Sequence, residues 1–98
     1  MSQNVQYRCM VKDRAQEKFI NCFHAITMGV AERDFRNACN DPNTYLHKNS
    51  KDYALWCIGE TDFVTGRTKD FEDPIKLLEA DQCITDRKPS QPIEEVAK

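Results

Sequence analysis

Six consecutive residues without a charge, Tyr53-Ala54-Leu55-Trp56-Cys57-Ile58, form the longest apolar run in this chain and constrain its fold more than any other stretch. A short apolar run rich in aromatic and β-branched residues, ending at a glycine (Gly59), reads as a strand covered on both faces. Asp41-Pro42-Asn43 opens a turn-rich loop ahead of it. Thr65-Gly66 behind it is a hairpin turn signal. The rest of the chain is placed relative to that strand.

Upstream, Val5, Tyr7, Cys9 and Val11 alternate with Gln6, Arg8, Met10 and Lys12. That period of two predicts a half-buried strand. The polar stretch from Asp13 to Glu17 predicts a hairpin turn, and a second strand is expected from about Lys18 to Ile26. Thr27 is a good N-cap for a helix over 28–39. Met28, Ala31, Phe35, Ala38 and Cys39 fall on one stripe of that helix, with Arg33, Arg36, Asn37 and Asn40 opposite. Asn40-Asp41-Pro42 ends it, because proline disfavours helical geometry at the preceding residue.

Beyond the central strand, Glu60-Thr61-Asp62-Phe63 leads to the Thr65-Gly66 turn and 68–71 returns as a short strand. Glu72-Asp73-Pro74 should break the pairing. Residues 75–84 fit either a last strand or a short helix. The fold expected is α+β: a small, mainly antiparallel sheet in the order β-β-α-β-β, with one helix packed on a face. Trp56, Leu55, Ile58, Phe35 and Tyr7 are expected to share its core. A chain of 98 residues supports one domain, 1–84, followed by a polar, flexible tail over 85–98.

Composition narrows the function. No apolar stretch reaches the roughly 18 residues of a membrane span, and the first residues lack the pattern of a signal peptide, so a cytosolic protein with no membrane partner is expected. Five scattered cysteines in such a compartment argue against a disulfide framework. Cys9, Cys39 and Cys57 lie among apolar neighbours and suit a core. Without a C-x-x-C pair, a metal site on Cys22 and His24 is disfavoured, and His24 is expected half-buried at the sheet end. Glu60 and Asp62, before a hairpin turn, read as solvated edge residues rather than metal ligands. With no phosphate loop, nucleophile elbow or paired histidine and carboxylate, neither an enzyme nor a cofactor is expected.

Net charge is −2, but it is uneven. Residues 1–52 hold eight Lys/Arg against six Asp/Glu, or +2; residues 53–98 hold six against ten, or −4. An anion-binding surface therefore belongs to the first half. The candidates are Arg33 and Arg36 on the polar face of the helix, with Lys48 and Lys51 from the loop as backbone contacts and Tyr45 as a stacking ring. The competing explanations are a solvated helix surface and a loop with Tyr45 and Leu46 pinned to the core.

One longer pattern stands out. Ala31, Arg33, Phe35, Asn40, Asp41 and Pro42 are followed by Asp52, Tyr53, Leu55, Ile58, Gly59, Glu60, Asp62, Thr65 and Gly66. At these spacings the stretch resembles the small nonstructural protein of gokushoviruses, single-stranded DNA phages of the Microviridae, over roughly residues 7 to 80. The polar ending departs from the apolar C-terminal run of that family. The resemblance implies a DNA-binding accessory of genome replication in the host bacterial cytoplasm, with a part in the switch from double-stranded to single-stranded DNA synthesis. The residues themselves leave open which strand form is bound. They also leave open an adaptor that grips a phage or host replication protein without touching DNA. A homodimer is expected, because so small a sheet leaves edges unpaired.

Overall fold

The computed structural model describes residues 4–85. Strand β1 (Val5–Asp13) and strand β2 (Lys18–Ala25) form a hairpin. Helix α1 (Met28–Cys39) follows, then a short helix α2 (Tyr45–Lys48) and a 3₁₀ turn over Ser50–Asp52. Strand β3 (Tyr53–Asp62), strand β4 (Thr68–Glu79) and a last short helix α3 (Ala80–Cys83) complete the chain. The strands make one antiparallel sheet in the order β2-β1-β3-β4, so β3 crosses over to pair with β1 in the middle.

Local chemistry explains the boundaries. The Asp13 carboxylate accepts from the backbone N–H of Ala15 at 2.9 Å and so shapes the β1–β2 turn. Thr27 caps α1 by accepting from Val30 N–H at 3.1 Å. Asp62 repeats the Asp13 device at the next hairpin, accepting from Val64 N–H at 2.8 Å, and Gly66 takes the left-handed conformation (φ 77°) that closes it.

The stripe on α1 behaves as its spacing predicts. Ala31, Phe35 and Cys39 are buried, and Met28 and Ala38 pack beside them. They meet Cys9 and Val11 of β1 and Leu55 and Cys57 of β3 in one core. Leu46 of α2 and Ala80 and Cys83 of α3 join the same cluster. All three helices therefore lie on one side of the sheet.

Three sequence expectations need correction. The stretch 42–52 is not loop throughout: Thr44 caps a helical turn, although Leu46 is pinned to the core as one reading of the loop expected. Glu72-Asp73-Pro74 does not end the fourth strand. Ile75 pairs with Cys57 and Asp70 with Gly59, so residues 71–74 bulge out opposite Ile58 and pairing then resumes. The ambiguous stretch 75–84 is strand to Glu79 and helix from Ala80. Third, the central strand is not covered on both faces. Tyr53, Leu55 and Cys57 face the helices and are buried, whereas Trp56 and Ile58 are half-buried. Trp56 and Ile58 thus do not join Leu55 and Phe35 inside the core, and Tyr7 packs only at its rim.

Candidate nucleic-acid interface

Directly opposed residues of an antiparallel ladder share a face. Cys9 opposes Cys57 and Val11 opposes Leu55 on the helix side. The alternate residues must point away from the helices. On β1 these are Arg8, Met10 and Lys12; Met10 opposes Trp56, and Lys12 opposes both Ala54 of β3 and Phe19 of β2. On β4, Lys76 opposes Trp56 and Glu79 opposes Ala54. Among the described residues no helix covers this face.

Its centre is an aromatic and cationic cluster. The rings of Phe19 and Trp56 meet edge to face, with centroids 6.1 Å apart. The Lys12 ammonium stands 5.5 Å from the first ring centroid and 6.0 Å from the second. Phe19 is 37 % exposed, so one ring already faces solvent. Lys12 has no acidic partner among the described residues. Beside it, Arg14 and Lys76 both pair with Glu79, two cations on one carboxylate. Hydrogen bonds from Arg14 and then Lys76 hold that carboxyl below its ordinary range. Arg8 pairs with Asp70 across Gly59. Arg8, Lys12, Arg14 and Lys76 thus bring four positive charges against the two of Asp70 and Glu79. On a protein of net charge −2, that is a concentration of positive charge.

The residues named from the sequence sit on the other side or at its end. Arg33 pairs with the neighbouring Asp34 at 3.2 Å, and Arg36 with Glu32 one turn away at 3.7 Å. Both arginines remain largely exposed. Lys48 and Lys51 border a polar concavity of ≈ 390 Å³ that Asp52 and Asp81 also line. Tyr45 is held from two directions: its hydroxyl accepts from the Asn21 amide, and its ring packs edge to face on Tyr53 with centroids 4.9 Å apart. Burial, with Asp13 nearby, raises its phenol pKa. Arg33 and Arg36 share a helix face, and Lys48 and Lys51 share a concavity. Asn40, expected on the polar face, ties α1 to α3: its amide donates to Cys83 C=O at 3.0 Å and accepts from Thr85 N–H at 2.8 Å.

His24 is exposed on the uncovered face rather than half-buried. Its Nε2 lies 2.9 Å from Thr61 Oγ1, and its ring meets Phe63 edge to face at 5.0 Å. Cys22 is exposed, while Cys9, Cys39, Cys57 and Cys83 are buried. Burial pushes the Cys9 and Cys39 thiols up to about 12. Among the described residues no three His, Cys, Asp or Glu side chains are grouped as a metal ion would need.

Sequence reasoning missed Lys12, Phe19 and Trp56 as a group. The signal lay in parity. If Leu55 and Cys57 face the core, Trp56 cannot, and in the first strand Lys12 falls out of phase with Cys9 and Val11. What the sequence does not display is the register that sets Phe19 beside Lys12.

Comparison with known proteins gives one positive result. No curated protein and no solved structure matches this chain. The profile of the phage ORF5 protein family matches residues 6–83, which takes in every strand but the first residue of β1, all of α1 and the whole uncovered face from Arg8 to Glu79. With most of its length so matched, the chain belongs to the phage ORF5 protein family.

Proposed function

We propose that this phage protein is a nonstructural, DNA-binding accessory of genome replication. On this reading it acts in the host cytoplasm, at the switch from double-stranded to single-stranded DNA synthesis, in a phage of the gokushovirus type. The observation that carries the DNA-binding part is the cluster of Phe19, Lys12 and Trp56 on a sheet face left open by the helices. An exposed ring beside an ammonium with no acidic partner among the described residues offers an unpaired base a stacking surface and its phosphate a counter-charge. Duplex DNA keeps its bases stacked on one another, so this chemistry favours single strands.

The uncovered face is a better primary site than the helix face. Arg33 and Arg36 each have an acidic neighbour that a phosphate would have to displace, and the Tyr45 ring and hydroxyl are already engaged. Lys48 and Lys51, with Arg33 and Arg36, remain as a second, backbone-only surface. A homodimer that joined two uncovered faces would hide the first surface and double the second.

The test uses the protein's own signal, because Trp56 is its one tryptophan. Titrating a thymidine oligonucleotide should quench its fluorescence. Affinity should fall steeply with salt, since each neutralised phosphate releases counterions. Phe19→Leu with Lys12→Gln should weaken single-strand binding by on the order of 10- to 100-fold. Arg33→Ala with Arg36→Ala should change it little. If neither single- nor double-stranded DNA binds at low salt, the proposal fails. A second reading then gains ground, an adaptor for a phage or host replication protein. Exposed Phe63 and Val64 in the β3–β4 turn, the first of them against the His24 ring of β2, favour it.

A further inference from the structure

Four of the five thiols lie in the helix-side core, in two separate pairs. Cys9 and Cys57 are directly opposed on the two central strands and both are fully buried. Opposed residues of an antiparallel ladder have Cα atoms about 4.5–5.5 Å apart, inside the window a disulfide spans. Cys39 closes α1 and Cys83 closes α3. The Asn40 amide, one residue beyond Cys39, donates to the Cys83 carbonyl at 3.0 Å, which holds the two helix ends together. All four side chains belong to one buried cluster. Cys22, the odd residue, is exposed on β2 and belongs to neither.

We propose that these pairs are latent disulfide sites: with a small-molecule disulfide such as oxidised glutathione, the folded chain closes Cys39–Cys83 and then Cys9–Cys57, leaving Cys22 outside both bridges. Each closure removes two protons and two electrons from a pair of thiols. One cysteine attacks the oxidant as thiolate and releases a first glutathione. Its partner attacks the mixed disulfide and releases a second. One S–S bond forms in the protein for each S–S bond broken in the oxidant.

The order follows from access. Thiolate is the attacking species, and the buried Cys9 thiol, on the two central strands, yields little of it. Cys83 sits on a four-residue helix at the end of the fold, where a small opening is enough to expose it. The Arg36 guanidinium nearby also partly offsets its burial. Closed bridges between residues so far apart in sequence constrain the unfolded chain, so the oxidised form should be the more stable one.

The experiment incubates wild type and Cys22→Ser with oxidised glutathione in mildly alkaline buffer, alkylates the remaining thiols at intervals and maps the peptides by mass. The expected sequence is loss of two hydrogens with a Cys39–Cys83 link, then of four with Cys9–Cys57 as well. Cys22 in wild type should stay outside both links, alkylated or carrying one glutathione, and the same links should form in Cys22→Ser. Cys83→Ala should remove the first link and keep the second; Cys57→Ala should do the reverse. The doubly oxidised form should melt at least about 10 °C above the reduced one. The proposal is overturned by a major link through Cys22, by glutathione adducts on the buried cysteines as end products, by no oxidation, or by an oxidised form that melts lower than the reduced protein.

Discussion

Arg8 on β1 and Asp70 on β4 form an ion pair although β3 runs between them, and they meet over Gly59, the β3 residue that opposes both. The glycine is required there by space. A Cβ at Gly59 would stand 2.4 Å from Lys69 C=O and 2.9 Å from Asp70 Cα, both backbone atoms with little freedom to retreat. Gly59→Ala should therefore push β4 away from β3 and cost about 1–3 kcal/mol, the usual scale for overpacking. Urea denaturation of the variant beside wild type measures it. A midpoint equal to wild type would mean that β4 yields freely.

Phe35 tests the other face. It is the largest side chain that α1 buries, and it shares the core with Leu55 and Cys57 of the central strand. Phe35→Ala should cost about 3–5 kcal/mol, a severe loss for a domain whose total stability is on the order of 5–15 kcal/mol. Trp56→Leu should cost clearly less, since Trp56 is half-buried on the uncovered side. Thermal melts of the two variants rank them, and the reverse ranking would invert the assignment of faces.

Glu79 makes a pH prediction. Its carboxyl is held below its ordinary range by hydrogen bonds from Arg14 and Lys76. A group with a depressed folded pKa stabilises the fold above its unfolded pKa. That contribution is lost as pH falls through the folded value. Glu79→Gln should thus be less stable than wild type near neutral pH, and the gap should shrink as pH drops below about 4.3. Denaturation midpoints across that range check the sign. A gap that widens in acid would exclude the pairing.

Self-association is the fourth expectation. The uncovered face leaves Phe19, Met10, Trp56 and Ile58 without a helix over them, and covering such a face is a common reason for a symmetric pair. Sedimentation at micromolar concentration should show a species of twice 11.4 kDa. A single-stranded oligonucleotide that occupies the same face should shift it back to the monomer.

Much of this fold could be read from residue spacing. The limits of α1, its Thr27 cap and its buried stripe follow from helical periodicity alone. The first hairpin follows from the alternation of Val5 to Val11 and the polar turn after it. What spacing could not supply was three-dimensional bookkeeping. Leu46 in a polar stretch carries too little pattern to announce a one-turn helix. Pro74 normally ends a strand, and here a four-residue bulge absorbs it. The candidate site was least legible, because it joins Lys12, Phe19 and Trp56 from three strands that only the register brings together. Arg33 and Arg36 were easier to notice because they are near in sequence, and that nearness also gives each its acidic neighbour.

The bulges have a consequence of their own. On β4, residues 71–74 leave the ladder and include a proline, which has no N–H to offer a neighbour. On β2, the register slips between Cys9 and Val11, where Asn21 takes a left-handed conformation (φ 53°). Both outer borders of the sheet are therefore poor templates for a further strand, as in proteins that resist stacking edge to edge. The sheet is terminated at both margins. A further copy that joined this sheet through its margins would have to pair across those interruptions, which leaves a face as the better approach for a like chain.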